Sequence, residues 1–204
     1  MTRRVFSREA FSLEDMTRAL LIVDVQNDFT EGGALGVSGG DDVARGVSAY
    51  LREHADEYAL IVASRDWHQG SGDNGGHFAD TPDFVTTWPV HCVAGTPGAD
   101  YDPLFDTSAV THHLYKGQGR PDYSLFQGAT ADGHTAAELI DEFGVTEVDL
   151  AGIATDYCVR ASALDALGAG IRVRVLGDLV AGVAEEASAA ALREIQAGGG
   201  EIVQ

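Results

Sequence analysis

The chain is predicted to be α/β, a doubly wound, mainly parallel six-stranded sheet with helices on both faces. Three observations predict this. Short apolar runs that stop at a charged residue or a glycine recur along its length. Between the later runs stand segments whose apolar residues repeat at helical spacing, and strand alternating with helix builds parallel sheets covered on both faces. With 204 residues, 45% hydrophobic and 22% charged, the chain also has the size and make-up of one globular domain.

Residues 1–17 carry no clear period and read as an N-terminal extension to a single domain at 18–204. The first strand is the unbroken apolar run 19–23, which ends at Asp24. A glycine-rich loop at 31–40 leads into a helix at 41–57, where Val43, Val47, Tyr50 and Leu51 fall on one face. Further strands are expected at 58–63, 113–116, 147–153, 171–175 and 201–203, with helices at 133–143, 156–167 and 185–196. The exception is 66–111, rich in Gly, Pro, Asp and Thr and without either period. So long an irregular stretch in a compact domain is usually functional or disordered, and its two tryptophans and three histidines favour function.

A net charge of −19 argues against nucleic acid or an anionic membrane as partner, since both select basic surfaces. No signal peptide or membrane span is expected, and two cysteines, Cys92 and Cys158, suit free thiols in the cytoplasm. A small-molecule substrate is left as the partner class.

Ligands of such sheets bind beyond the carboxyl ends of the strands, where this sequence places its reactive residues. Asp24 ends the first strand, Asp66 follows the second, Lys116 ends the third and Cys158 follows the fourth. With Thr155 as cap, Cys158 would lie in the first turn of a helix, where the dipole and free N–H groups favour the thiolate and could hold an oxyanion. A lone cysteine is more often a small core residue, and an aspartate after a strand or a lysine at its end is commonly just a turn or solvated group. Together, however, a carboxylate to take the thiol proton and an ammonium to favour the thiolate make a nucleophilic site. Asp66 and His68, with His77 and His91 further on, form a donor set suited to zinc, iron(II) or manganese. Phe29, Trp88 and Tyr123 belong to the same sheet edge and point to an aromatic ligand.

Four separated motifs then carry a resemblance: Asp24-Val25-Gln26-Asn27-Asp28-Phe29, Ser64-Arg65-Asp66-Trp67-His68, Trp88-Pro89-Val90-His91-Cys92-Val93, and Gly152-Ile153-Ala154-Thr155-Asp156-Tyr157-Cys158-Val159. From about residue 19 onward the chain resembles the nicotinamidases of the isochorismatase-like cysteine hydrolase superfamily. The resemblance implies a catalytic triad of Asp24, Lys116 and Cys158, and an oxyanion hole from the N–H groups of Ala154 and Cys158 after a cis peptide at Ile153-Ala154. It further implies one divalent metal ion on Asp66, His68 and His91, with His77 as the added ligand of the pyrazinamidase type, although 69–76 is longer than the usual spacing. Phe29 and Trp88 would enclose the pyridine ring of an aromatic amide, with Tyr123 and Ile153 completing the substrate-binding set. A homo-oligomer is the family's usual assembly. Two rival readings stand beside this one: another amidase or isochorismatase-type hydrolase of the superfamily, and a catalytically silent metal-binding member of the same fold.

Overall fold

The computed structural model describes residues 16–204, so positions 1–15 of the expected extension lie outside the described residues. Six parallel strands form one sheet in the order β3-β2-β1-β4-β5-β6, with β1 at Arg18–Val23, β2 at Leu60–Asp66, β3 at His112–Lys116, β4 at Glu147–Ile153, β5 at Arg172–Ala181 and β6 at Glu201–Val203. The helices are α1 at Gly40–His54, α2 at Ala136–Glu142, α3 at Arg160–Gly168 and α4 at Glu185–Ala197.

Because side chains alternate across a strand, β1 sends Ala19, Leu21 and Val23 to one face and Leu20 and Ile22 to the other. The first set packs against α2, α3 and α4 through Leu139, Ile140, Ala163, Ala166 and Ile195. The second meets α1 through Val43, Ala44, Val47 and Leu51, and the irregular stretch through Cys92, Ala99 and Phe105. That stretch therefore does the work of a missing helix on its face of the sheet, which explains why it has no helical period. Local chemistry fixes the ends of several helices. Thr135 and Glu138 form a reciprocal capping box on α2, while α1 carries Asp41 and Asp42 in its first turn and Arg52 and His54 in its last, each favourable to the helix dipole.

The strand order reverses between β1 and β4, which are hydrogen-bonded neighbours from Arg18↔Glu147 to Val23↔Gly152. Such a switch point opens a crevice beyond the carboxyl ends of the strands. Gly152 lets the two strands close there, since a Cβ at this position would run into the backbone of Val23. Two expectations from the sequence are corrected here. The chain after β4 first makes a π-type turn at Thr155–Val159 and becomes α-helical only at Arg160, and Thr155 is buried inside that turn without acting as a side-chain cap. Ile153 is fully buried in the core cluster that also holds Phe29 and Ala154, and unlike those two it does not line the crevice.

Candidate active site

Four strand ends deliver the polar residues of the crevice. Asp24 leaves β1 with φ 49, a left-handed conformation uncommon outside glycine, and so turns its carboxylate under the crevice floor. Lys116, at the end of β3, is fully buried and surrounded by acceptors. Its Nζ lies 2.9 Å from Asp24 Oδ2 and 3.6 Å from Cys158 Sγ, and it also bonds Asp66 Oδ1. The structure thus brings the three residues of the expected triad into mutual reach.

Their electrostatics differ from the helix-dipole expectation. Burial pushes the Cys158 thiol up, Lys116 pulls it down, and the nearby Asp24 and Asp66 charges raise it again, leaving it well above the ordinary thiol range. Deep burial and the two facing carboxylates thus favour the protonated thiol, and neither feature is encoded in the local sequence. Burial also raises the Asp24 carboxyl, opposed by Lys116 and reinforced by Asp66, which makes it a stronger base than a surface aspartate. Although Asp24 Oδ2 is close to Lys116, it has no aligned hydrogen bond, so one buried lone-pair site remains open toward the thiol.

Two positioning residues were missed in the sequence. Ser64, inside β2, donates from Oγ to Asp24 Oδ1 at 2.7 Å. Gln26 clamps the end of β2: its Oε1 accepts from Asp66 N at 2.8 Å, and its Nε2 donates to the carbonyls of Asp66 and Ala99. The only sequence signal for either was its presence within a quoted motif. Since the Ser64 hydrogen bond lowers the Asp24 pKa, Ser64→Ala should raise it and move the acid limb of the pH profile for kcat/KM to higher pH. An unmoved limb, read from initial rates between about pH 4 and 8, would show that Ser64 does not tune the carboxylate.

Beside this group, ligand atoms of His68, His77 and His91 lie within 4.8 Å of one another, all three side chains buried. The insertion at 69–76 loops out and returns His77 to the cluster, against His68 at a ring-centroid distance of 4.8 Å. Asp66 Oδ2 is 3.6 Å from His68 Nε2 and 3.8 Å from His91 Nε2. Two histidines are oriented from behind: His68 Nδ1 is 2.8 Å from the Gly117 carbonyl and His91 Nδ1 is 2.8 Å from the Pro89 carbonyl. Donation to those carbonyls leaves each Nε2 with its lone pair toward Asp66, the arrangement used for metal-binding histidines. His68 Nε2 is buried without a hydrogen-bond partner, as is His77 Nδ1. Burial, with His68 and His91 adding to it, lowers the His77 pKa to about 3 and keeps its imidazole neutral. Three buried imidazoles and a carboxylate, with orphaned nitrogens on His68 and His77, fit a divalent metal ion.

Asp66 joins the two groups, one oxygen on Lys116 and the other toward the histidines. Above them opens a cavity of about 420 Å³ lined by Phe29, Trp88, Tyr123, Ala154 and Cys158. Trp88 Nε1 donates to Tyr123 Oη at 3.0 Å, fixing both rings. Tyr157 stands edge-on to Trp88 at 4.9 Å and also lines the cavity, a contribution not drawn from the sequence. The Ile153-Ala154 peptide is cis.

A parallel α/β sheet with a thiol, an ammonium and a carboxylate at its switch point is the frame of a hydrolytic enzyme. The model of the Isochorismatase domain matches residues 18–204. The nicotinamidase/pyrazinamidase of Mycobacterium tuberculosis is 50% identical over 186 residues, covering 91% of this chain and 98% of that protein. Among solved structures, the pyrazinamidase of Pyrococcus horikoshii in complex with zinc is 41% identical with a TM-score of 0.76, covering 92% of this chain and 98% of its own. PnC1 from L. infantum in complex with nicotinate is 30% identical with a TM-score of 0.77, covering 93% of each chain. The chain belongs to the isochorismatase family, and within it lies among the nicotinamidases and pyrazinamidases. Among the described residues, no helix is long and apolar enough to cross a membrane.

Proposed function

We propose that the chain is a nicotinamidase that hydrolyses nicotinamide to nicotinate and ammonia, and pyrazinamide likewise, as a step of NAD salvage in the cytoplasm. The observation that carries this reading is the contact of Cys158, Lys116 and Asp24 on the floor of an aromatic-walled cavity, with a histidine cluster at its side. Asp66, His68, His77 and His91 would hold one divalent ion, zinc, iron or manganese, which when bound supplies a Lewis-acid anchor for the ring nitrogen.

The substrate ring rests between Phe29 and Trp88, with Tyr123 beside it, and the carboxamide faces Cys158. Asp24 takes the thiol proton as Sγ attacks the amide carbon, and Lys116 stabilises both the thiolate and the carboxylate it faces. The N–H groups of Ala154 and Cys158, both on the cavity wall, receive the negative carbonyl oxygen. Collapse breaks the C–N bond, and the proton held on Asp24 passes to the leaving nitrogen, which departs as ammonia. Water, giving a proton to Asp24, then cleaves the thioester to nicotinate and restores the thiol.

Ammonia release from nicotinamide tests the reading directly. Metal-loaded protein should release it, whereas Cys158→Ala should fall by at least about 10³-fold, as expected for loss of a nucleophile acting with its base, while retaining its metal. Full activity in Cys158→Ala would remove the thiol from the mechanism, and no activity in the parent would turn the reading toward a different amide.

A further inference from the structure

Resting on that reading, we infer that the outer part of the cavity is a built apolar subsite, so that the enzyme accepts aromatic carboxamides carrying an apolar ring substituent. Nicotinamide has nine non-hydrogen atoms, and even at the ~30 Å³ that a water molecule occupies in the liquid, these fill only about 270 Å³. The cavity holds about 420 Å³. Space therefore remains around the ring, part of it on the metal side at Asp66, His77 and His91, and the cavity walls away from that side include Leu35, Phe84 and Val183.

Phe84 and Val183 are 56% and 51% exposed, and large apolar side chains in such positions are informative when the backbone is built to hold them there. Phe84 has φ 57, a strained conformation for a bulky residue. The carboxylate of Asp83 holds the turn by accepting from the N–H groups of Val85, Thr86 and Thr87 and from the hydroxyls of Thr86 and Thr87. Those hydrogen bonds keep the Asp83 carboxyl well below the usual range, so they persist at neutral pH. Phe84 also rests edge-on against Trp88, the expected ring-stacking residue. Val183 is held from the other side of the active site: Asp156, two residues before the nucleophile, accepts from the N–H groups of Val183 and Ala184 at 2.9 and 3.0 Å. Two separate rim segments are thus pinned by carboxylates with apolar side chains on the same cavity. The chemistry matching such a rim is an alkyl group projecting from the ring toward the mouth.

The experiment compares kcat/KM for nicotinamide with that for nicotinamides bearing n-propyl at each free carbon of the ring, in the metal-loaded parent and in the Phe84→Ser/Val183→Ser double variant. At least one propyl derivative should be hydrolysed by the parent, and its kcat/KM relative to nicotinamide should fall about tenfold in the variant, as loss of buried methylene contact implies. A ratio is insensitive to any difference in the folded fraction of the two preparations. Refusal of every propyl derivative by a parent that cleaves nicotinamide would overturn the subsite, and so would a ratio unchanged in the variant. Failure of the parent on nicotinamide itself is a different result, removing the nicotinamidase reading and the subsite with it.

Discussion

Replacing Lys116 by methionine should abolish turnover and destabilise the fold together. The ammonium is fully buried between Asp24 and Asp66, and burial alone would push its pKa down. The two carboxylates outweigh burial and hold it well above the ordinary lysine range. Removing one partner from a buried ionic group costs about 3–5 kcal/mol because the other charges are left uncompensated. In a domain of this size that lowers the melting temperature by about 10 °C. Asp24 would respond by staying protonated at neutral pH, which deprives the thiol of its base and should lower kcat/KM at least about 10³-fold.

The pH dependence has a fixed sign. A lysine with a raised folded pKa contributes its full stability below about pH 10, and that contribution is lost as pH rises through the folded value. Asp66 is pushed up by burial but pulled well below the usual carboxylate range by Lys116, His68 and His91. Its contribution is present above about pH 4 and lost as pH falls through its depressed value. The stability gap between the parent and Lys116→Met, measured by denaturant unfolding, should therefore be widest between these limits. A gap that fails to shrink below about pH 4 and above about pH 10 would mean that Lys116 acts by packing alone.

Gly117→Ala should strip the metal site while leaving all four proposed ligands in the sequence. Gly117 has φ +82, and a Cβ there would lie 2.5 Å from His68 Cε1 and 2.7 Å from Nδ1. The His68 ring must move, taking with it the hydrogen bond from Nδ1 to the Gly117 carbonyl that directs Nε2 inward. Disturbing such an orienting partner typically lowers metal affinity 10–100-fold. Competition with a chromophoric chelator measures this, and added metal should restore part of the activity. Gly119→Ala is the control: its φ of +72 imposes similar backbone strain, but its Cβ would meet the flexible end of Gln69. Equal loss of metal in both variants would attribute the effect to general strain and would remove the orienting role assigned to Gly117.

The sheet was legible because its central strands are buried on both faces, so that 19–23 stands out as an unbroken apolar run and 150–153, after Glu147 and Asp149, as a shorter one. Strand ends follow from the same signal, and with them the placing of Asp24, Asp66, Lys116 and Cys158 around one crevice. The limits of local pattern appear just after β4, where Thr155 resembles a cap and Cys158 a first-turn thiolate. The fold has a π-type turn there, with α4 packed against it, and burial beside two carboxylates raises the thiol instead of lowering it. Ser64 and Gln26 were hidden for a related reason. Their importance lies in hydrogen bonds to residues about forty positions away, which neither periodicity nor turn chemistry encodes. The apolar rim was equally silent, since Phe84 and Val183 meet on one cavity only after the irregular stretch and the β5–α4 connection have folded over the sheet.

The most direct test of the central claim is the intact mass of the protein quenched in acid during turnover of nicotinamide, followed by peptide mapping. A fraction of the enzyme should carry one nicotinoyl group, located on Cys158 and absent from Cys158→Ala. A nicotinoyl group on Cys92, or turnover by Cys158→Ala at the parent's rate, would contradict the account.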